Sequence, residues 1–337
     1  MRVLLALAAL LLAACAADGP RTPDMPDHHA AGGFRNPPPT PVTSAQGLIA
    51  DRFRLLFVDV PGLAAPALDR AAAERGWAGT GDAIMWLGHG GVLLRLAGTV
   101  VAMDPVFGAW LSPVPGLGPR RLPALPFDAE TLPRVDALLL SHDHRDHLEE
   151  GTFQRIAARD GATCLVGLGV ASLRRLACPR IEELDWHDSR RVGALTITFL
   201  PAQHESGRHL FDRNATLWGS WLVEGGGRRV YLGGDSGYGP HYAAIRARHG
   251  APDVAVLGIG GYRPRSSNAI MHADPPETMR AIRDLGARRV LLVHWGTYPV
   301  GAEDTGQAPA EARAAARAAG VPDALLLTPV IGETLRF

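Results

Sequence analysis

The chain has 337 residues, of which 34 are basic and 34 acidic, so its formal net charge at pH 7 is zero. This length suffices for one large domain or two smaller ones. No basic stripe runs along the sequence, which argues against nucleic acid as a partner. No pattern indicates the oligomeric state.

The first residues are typical of a secretory signal. Arg2 supplies a positive start, an apolar run begins at Val3, and small residues precede Cys15. The run is too short to span a bilayer as a mature helix. The segment from Leu12 to Cys15 resembles the lipobox of bacterial lipoproteins, which implies removal of residues 1–14 and acylation of Cys15. An ordinary signal peptide with a chance cysteine is the alternative.

The residue after this cysteine bears on where the protein is sorted. It is Ala16 rather than aspartate, which in the Gram-negative sorting pattern favours the outer membrane. We therefore expect a protein of the bacterial cell envelope that the lipidated Cys15 attaches to the membrane, at the outer membrane and facing the periplasm.

The segment that follows predicts a tether. Residues 15–50 are rich in Pro, Gly, Ala and Asp and include NPPPTP, a composition typical of an extended, flexible linker. His28 and His29 lie in this segment, and we expect them to be solvated. The folded domain is predicted to cover residues 51–337.

Short apolar runs with glycine-rich turns then predict strands, as in DAIMWLGHGGVLLRLAGTVVAMDPVF. VDALLLS and TCLVGLG are predicted strands on either side of a helix, EEGTFQRIAARDG, that Gly161 closes. Later strands are ALTITFLPAQH, GSWLVEG, RRVYLGGDSG, DVAVLGIG and RRVLLVHWG, with a helix that starts at Pro275 and Pro276. The order predicts an α/β layered fold with helices outside two sheets.

Two cysteines lie within the predicted domain. An exported protein could oxidise Cys164 and Cys178 to a disulfide, but the sequence does not show whether they are close. Neither has the spacing of a zinc cluster. We expect both to be thiols in the core.

Metal-binding side chains collect where the predicted strands end. Burying so many ionisable groups is costly without partners, so they form either a solvated loop or a metal site. Imidazole and carboxylate together suit zinc, and seven ligands exceed what one zinc takes. Two metals about 3.5–4 Å apart, sharing a carboxylate and a hydroxide, would use them all. The residues are His142, His144, Asp146, His147, His204, Asp235 and His294.

This ordered set resembles the metallo-β-lactamase superfamily. The resemblance implies a four-layer αββα sandwich with two Zn²⁺ per chain, although iron or manganese could replace zinc. In the family pattern one metal is bound by His142, His144 and His204. The other is bound by Asp146, His147 and His294, and Asp235 bridges the two.

A narrower resemblance is carried by WLGHGGVLLRL, DPVFGAWLSPVPGLGPRRL, LWGSWLV, GGDSGY, IGGYRPR, MHADPPE and HWGT. These segments are similar to N-acyl-phosphatidylethanolamine-hydrolysing phospholipase D. The implied substrate is a membrane phospholipid, cleaved to phosphatidic acid and an N-acylethanolamide. The match also implies that His272 lies near the headgroup, although a structural role fits its setting equally. The loop from Glu205 to Arg208 departs from the bulkier, more basic residues of the animal enzymes, so headgroup and acyl selectivity stay open.

Chemical roles follow for several residues. Metal ions would lower the pKa of a bridging water and so generate hydroxide. Asp146 would be both a ligand and the proton acceptor. His89 could support the site, but we expect a core histidine with a satisfied hydrogen bond. We also expect core positions for three tryptophans, Trp86, Trp218 and Trp221.

Two other functions fit the same sequence. The same ligands could serve hydrolysis of another ester, a lactone or an amide. A non-catalytic, metal-binding envelope lipoprotein is the alternative of another class.

Overall fold

A computed structural model describes residues 26–38, 40, 62–112, 114, 116–209 and 211–337. The predicted signal peptide, Cys15 and the domain boundary near residue 50 lie outside these residues. Among the helices of the described part, none combines the length and the apolar character needed to cross a bilayer.

The described strands form a small hairpin and two larger sheets. The hairpin pairs β1 (His29–Ala30) with β2 (Gly33–Phe34). The first sheet has the order β16-β3-β4-β5-β6-β7-β8, and the second has the order β15-β14-β13-β12-β11-β10-β9. The first sheet consists of β3 (Ala83–Gly88), β4 (Gly91–Leu96), β5 (Thr99–Met103), β6 (Ala137–Leu139), β7 (Thr163–Gly167), β8 (Arg180–Leu184) and β16 (Thr334–Arg336). The second consists of β9 (Ser189–Val192), β10 (Leu195–Leu200), β11 (Ser220–Gly225), β12 (Arg228–Leu232), β13 (Val254–Gly258), β14 (Arg289–Val293) and β15 (Leu326–Leu327).

Helices cover the outer faces of both sheets. They are α1 (Arg70–Trp77), α2 (Glu150–Asp160), α3 (Val170–Arg174), α4 (His241–His249), α5 (Arg265–Asn268), α6 (Pro275–Leu285) and α7 (Ala308–Ala319), with short 3-10 turns at Thr305–Gln307 and Asp323–Leu325. Buried residues of α1 and α2 pack on the first sheet, and those of α4, α6 and α7 pack on the second. The layers are therefore helix, sheet, sheet and helix, as predicted.

Side chains that point alternately to the two faces of each strand produce these layers. In β3, Ile84 and Trp86 belong to the core between the sheets, whereas Met85 and Leu87 belong to the core beneath the helices of the first sheet. Successive side chains of a strand point to opposite faces, so one apolar run supplies both cores. The three tryptophans predicted to lie in the core are completely buried.

Helix α6 shows how local sequence sets an element. Asp274 accepts a hydrogen bond from the backbone of Glu277, and the Glu277 side chain accepts one from the backbone of Asp274. This reciprocal cap satisfies two backbone donors that a helix start leaves free. Pro275 and Pro276 occupy the first turn as predicted, and Gly286 ends the helix at φ 70°.

The edge of the first sheet is completed by the last described strand. β16 pairs antiparallel with β3, and Thr334 lies opposite Met85. Residues about 250 positions apart in the chain are therefore neighbours in one sheet.

The prediction of two free thiols is wrong. Cys164 on β7 and Cys178 after α3 form a disulfide, with their Cα atoms 6.4 Å apart. Helix α3 and a left-handed residue at Arg175 (φ 50°) reverse the chain between β7 and β8. This reversal brings the second cysteine back to the buried first one.

The prediction that His28 and His29 are solvated is also wrong. Residues 26–36, here called the N-terminal hairpin, pack on the domain. His28 as a whole residue is only 9% exposed, and its ring stacks on Trp186 with ring centres 4.1 Å apart. Gly33 lies so close to Asn214 that an added Cβ would stand 2.2 Å from its carbonyl oxygen. His28 and Trp186 are far apart in the sequence, so the composition around His28 could not reveal this contact.

Candidate metal centre

Six strands bring polar residues to one edge of the sandwich. In the first sheet β3, β5 and β6 run in one direction, and in the second sheet β10, β12 and β14 do the same. Their C-terminal ends therefore lie at the same edge of each sheet. The polar residues that follow these ends are His89, Asp104, His142, His204, Asp235 and His294.

Two core tryptophans help to place these strand ends. Trp221 donates from its indole nitrogen to the carbonyl of Leu140, and Trp218 donates to the carbonyl of Ala202. These carbonyls lie two residues before His142 and two before His204. The core therefore fixes the backbone from which both histidines project.

The first cluster is a triangle of imidazole nitrogens. Nε2 of His142 lies 3.0 Å from Nδ1 of His144, and Nε2 of His204 lies 3.1 Å and 3.2 Å from these two atoms. Neighbouring ligands of a tetrahedral zinc with bonds of 2.0–2.1 Å are about 3.3 Å apart. The spacing of the triangle is close to that of three ligands around one ion.

Hydrogen bonding alone does not explain this triangle. The Ser141 hydroxyl donates to Asp104 and therefore accepts from Nδ1 of His142. Nδ1 of His204 donates to the carbonyl of Met271. A neutral imidazole carries one proton, so both Nε2 atoms face each other as lone pairs. Burial lowers the pKa of both histidines, and a cation between them removes the conflict.

The second cluster contains Asp146, His147 and His294. Oδ2 of Asp146 lies 3.8 Å from Nε2 of His147 and 3.6 Å from Nε2 of His294. The two Nε2 atoms are 3.3 Å apart. Imidazole and carboxylate ligands of this kind suit a divalent transition metal.

Asp235 joins the clusters. Its Oδ2 lies 3.0 Å from Nε2 of His147 and 3.2 Å from Nε2 of His294. The ligand atoms of His142, His147 and Asp235 also lie within 4.8 Å of one another. Oδ1 of Asp235 is buried and has no hydrogen-bond partner among the described residues. A buried, unsatisfied carboxylate oxygen is costly, and a bound cation would remove that cost.

The charges at this edge also favour cations. Burial alone would raise the pKa of Asp235, but His147 and His294 hold it well below its usual range. The pKa of Asp146 is likewise held well below its usual range, against burial, by His147 and by hydrogen bonds from His294 and His89. Against burial, Asp235 and Asp146 raise the pKa of His147 well above its usual value. Both carboxylates are therefore ionised.

Asp104 supports both clusters, although it was not among the residues predicted from the sequence. Its Oδ2 accepts from Nδ1 of His147 at 2.8 Å and from the Ser141 hydroxyl at 2.5 Å. Ser141 in turn holds Nδ1 of His142. Outer partners of this kind fix the tautomer and orientation of ligating histidines. A detectable signal existed, because Asp104 ends strand β5 as the ligands end theirs.

Several strand-end residues have strained backbones. His89, Asp104 and His294 have φ values of 50°, 47° and 66°. This left-handed region is uncommon for residues with a side chain, and such strain collects at functional sites. These backbone conformations turn the three side chains away from the directions that a regular strand would give them. Such strain is consistent with a functional centre.

The loop after His204 is fastened to the HDHRDH motif through Asp143. Its carboxylate accepts from the backbone of Gly207 at 2.8 Å and from the Thr216 hydroxyl at 2.8 Å. Arg174 donates to the same carboxylate at 2.7 Å. Asp143 is completely buried and Arg174 nearly so, so this pair organises the loop from within.

The N-terminal hairpin also reaches the centre. The Asn36 side chain donates to the carbonyl of His204 at 2.7 Å and accepts from its backbone N–H at 3.1 Å. Asn36 was not predicted to contact the site, because it lies in the segment predicted to be a tether.

His89 and His272 both lie at the centre. Nε2 of His89 lies 3.0 Å from Oδ2 of Asp146, and its buried Nδ1 has no partner among the described residues. His89 is therefore buried and hydrogen-bonded as expected, and its bond to Asp146 also lets it support the site. Nδ1 of His272 lies 3.8 Å from Oδ2 of Asp235, and burial lowers its pKa to about 3. A contact between His272 and a headgroup stays a prediction.

All seven predicted metal ligands thus meet at one edge of the sandwich, in clusters able to bind metal. The number of ions and their identity stay predictions.

Known proteins share this architecture. A protein-family model described as the beta-lactamase superfamily domain matches residues 99–295, more than half of the chain. Two solved structures have the same fold. An isothiocyanate hydrolase from Delia radicum gut bacteria is 23% identical, with a TM-score of 0.60 over 76% of this chain and 99% of that one. A metallo hydrolase from the archaeon Ignicoccus hospitalis is 21% identical, with a TM-score of 0.56 over 76% and 98%.

Curated relatives are more similar in sequence. An uncharacterized protein of Mycobacterium tuberculosis is 41% identical over 242 residues, which cover 70% of this chain and 63% of that protein. N-acyl-phosphatidylethanolamine-hydrolyzing phospholipase D 1 of Caenorhabditis elegans is 35% identical over 228 residues, 64% of each chain. This chain therefore spans less than two thirds of both relatives. Outer membrane protein RomA of Klebsiella pneumoniae is 45% identical over 102 residues, 30% of this chain and 75% of that protein.

Proposed function

The chain belongs to the beta-lactamase superfamily as a metallo-hydrolase, and from this premise we propose that it is a phosphodiesterase of phospholipase D type. Its substrates would be phospholipids like N-acyl-phosphatidylethanolamine, and its products phosphatidic acid and an N-acylethanolamide. The metal would be zinc, with two ions per chain.

The observation that carries this proposal is the pair of ligand clusters joined at Asp235. A phosphodiester has two non-bridging oxygens and changes charge at phosphorus as it reacts, so two adjacent cations suit it. The 35% identity to the nematode phospholipase supports this substrate class over other esters. Divalent cations held here would supply Lewis acidity, acidifying water and stabilising negative charge on phosphoryl oxygens.

The residues of the chain have distinct tasks in this reaction. Water adds to phosphorus, the bond from phosphorus to the ethanolamide oxygen breaks, and that oxygen leaves with a proton. Asp146 is suited to take the proton of the water, because its carboxylate is ionised and oriented by His89. His272 is neutral and 14% exposed at its side chain, so it can form a hydrogen bond to the headgroup.

Attachment to a membrane would bring the enzyme to its substrate. The lipobox ending at Cys15 supports a lipid anchor in the cell envelope. The Cys164–Cys178 disulfide is typical of proteins that fold in an oxidising compartment. The name of the Klebsiella relative refers to the outer membrane, although only 30% of this chain matches it. Cys15→Ser should then release the protein from membranes, and membrane fractionation with acyl-mass measurement would test this.

Identifying which bond of the phospholipid is hydrolysed is the most direct test of the proposed reaction. Purified protein is incubated with synthetic N-acyl-phosphatidylethanolamine in heavy-oxygen water, and the products are identified by mass spectrometry. The label should appear in phosphatidic acid and be absent from the N-acylethanolamide. Label in a released fatty acid would instead show attack at an acyl carbon. Metal-loaded protein that hydrolyses no ester at all would support a non-catalytic lipoprotein.

A variant tests the role of Asp146 in the same assay. Asp146→Asn should lower kcat far more than it raises KM, because its proposed task lies in the chemical step. Metal content is measured alongside, since the variant also removes a ligand. Asp284→Asn is a matched control, because Asp284 lies on α6 and bonds to Tyr238.

A further inference from the structure

A second group of ligand-type side chains lies outside the centre. His28 and His29 belong to the N-terminal hairpin, and Asp185 follows strand β8. The histidines are 157 and 156 residues from Asp185 in sequence. We propose that these three residues form a further divalent-metal site, for zinc or a similar imidazole-binding cation, that fastens the hairpin to the domain.

The geometry brings three ligand atoms together. Nε2 of His28 lies 2.6 Å from Oδ1 of Asp185, and Nε2 of His29 lies 2.8 Å from Oδ2. One ligand atom from each residue lies within 4.8 Å of the others. Two imidazoles and a carboxylate, with water as the fourth ligand, form a recognised open zinc set. Ligands of tetrahedral zinc stand about 3.3 Å apart, so these two contacts would have to lengthen by roughly 0.5–0.7 Å to admit the ion.

The side chains are held in place while remaining accessible. Stacking on Trp186 orients the His28 ring, and the backbone N–H of Trp186 donates to Oδ1 of Asp185 at 2.7 Å. The side chains of His28, His29 and Asp185 are 11%, 22% and 26% exposed. An ion can therefore enter from solvent and find ligands that are already oriented. Preorganised ligands lose less freedom on binding.

The surroundings favour an imidazole-binding cation. His187 lies two residues after Asp185, and its Nδ1 is 3.4 Å from Nε2 of His249. Of the thirteen histidines of the chain, two thus contact this carboxylate and two more form a neighbouring pair. Imidazole suits zinc, copper or nickel, whereas magnesium and calcium prefer oxygen ligands.

A cation would replace the hydrogen bonds of this contact. In the metal-free form both imidazoles can donate from Nε2 to the Asp185 oxygens. When a cation binds, each imidazole carries its proton on Nδ1 instead of Nε2 and offers Nε2 as a lone pair. The metal then replaces two hydrogen bonds with three coordinate bonds to the same atoms.

The proposed site at Asp185 is connected to the metal centre through the N-terminal hairpin. The hairpin that carries His28 and His29 also carries Asn36, which contacts the backbone of His204. A metal at this position would therefore stabilise the docked hairpin and, through it, the first cluster.

Metal content tests the site without reference to activity. Full-length protein is loaded with Zn²⁺, dialysed, and analysed for zinc. Asp185→Asn and His29→Gln should each hold one equivalent less than the unaltered protein. The glutamine amide can still donate to Asp185, so this variant keeps a hydrogen bond while removing a ligand. His209→Ala, which removes an exposed histidine elsewhere, should keep the full content.

A second comparison separates this site from the centre. His204→Ala removes a ligand of the first cluster, and adding Asp185→Asn to it should remove one further equivalent. Zinc should also raise the Tm of His204→Ala protein more than that of the double variant, because binding to the folded state stabilises it. Equal zinc contents in the unaltered protein and both single variants would overturn the proposal and leave a hydrogen-bonded contact only. So would equal contents in His204→Ala and the double variant. A failed phospholipid assay would leave these zinc contents unchanged.

Discussion

Asn36 and His204 lie 168 residues apart, yet one side chain holds both backbone polar groups of the other residue. The His204 ring is held separately, because its Nδ1 donates to the Met271 carbonyl. A predicted metal ligand is thus fixed at three points, and one of its two supporting residues lies in the N-terminal hairpin.

Loss of this support should weaken metal binding. Asn36→Ala should lower metal affinity or activity about 10- to 100-fold, the usual effect of removing an outer partner of a ligand. Metal retention against increasing chelator measures it. Asn36→Asp keeps the acceptor for the His204 N–H, so its metal affinity should lie between those of Asn36→Ala and the unaltered protein. Arg35→Ala, whose side chain donates to the Asp27 carbonyl, is the control. A retention curve for Asn36→Ala that superposes on that of the unaltered protein would contradict the role.

Asp104 should matter as much as a direct ligand. Asp104→Ala leaves Nδ1 of His147 and the Ser141 hydroxyl without their acceptor, so both clusters lose orientation. We expect a fall of about 10- to 100-fold in metal affinity. Elemental analysis after graded chelation measures it. Asp136→Asn is a suitable control, because Asp136 accepts from the Val100 backbone just before β6. Unchanged retention in Asp104→Ala would show that His147 needs no such partner.

The metal-free protein should lose stability as the pH rises. Burial lowers the pKa of His294, but Asp235 and a hydrogen bond to Asp146 outweigh it and raise the pKa to about 9. A raised folded-state pKa adds stability that is complete below the unfolded value near 6.5 and lost as the pH rises through about 9. The free energy of unfolding should therefore fall between pH 6.5 and 9, by on the order of 2 kcal/mol.

Chemical denaturation of metal-free protein at several pH values measures this change. His294→Gln should reduce the slope, because its side chain does not titrate. Metal-loaded protein should lack this fall, since ligands bound to metal carry no proton. A free energy of unfolding that rises over this range in metal-free protein would contradict the assignment.

The disulfide should contribute measurable stability. Cys164 and Cys178 are 14 residues apart, and closing a loop of this size is worth about 3 kcal/mol in the chain-entropy account. Cys178→Ser should lower the free energy of unfolding by about that amount. Reducing agent should lower the free energy of unfolding of the unaltered protein by the same amount and leave that of the variant unchanged. Equal stability with and without reductant would mean that the thiols are not joined in solution.

The sequence predicted what depends on local pattern. The apolar strands, the start of α6 at two prolines and the metal-binding side chains at strand ends were all predicted. Each of these features depends on the residue types of neighbouring positions. Contacts across long separations were not. Asn36 reaches His204, and His28 reaches Asp185, through packing that composition does not encode. The partner of His89 could not be predicted for the same reason, since only the fold brings it to Asp146.

The pairing of β16 with β3 bears on how the chain acquires its structure during synthesis. Until Thr334–Arg336 has left the ribosome or a translocation channel, one edge of the first sheet lacks its neighbour. An open strand edge invites pairing with other chains. This edge is therefore completed only after every other described strand has been synthesised, and a nascent chain would benefit from a chaperone until that strand arrives.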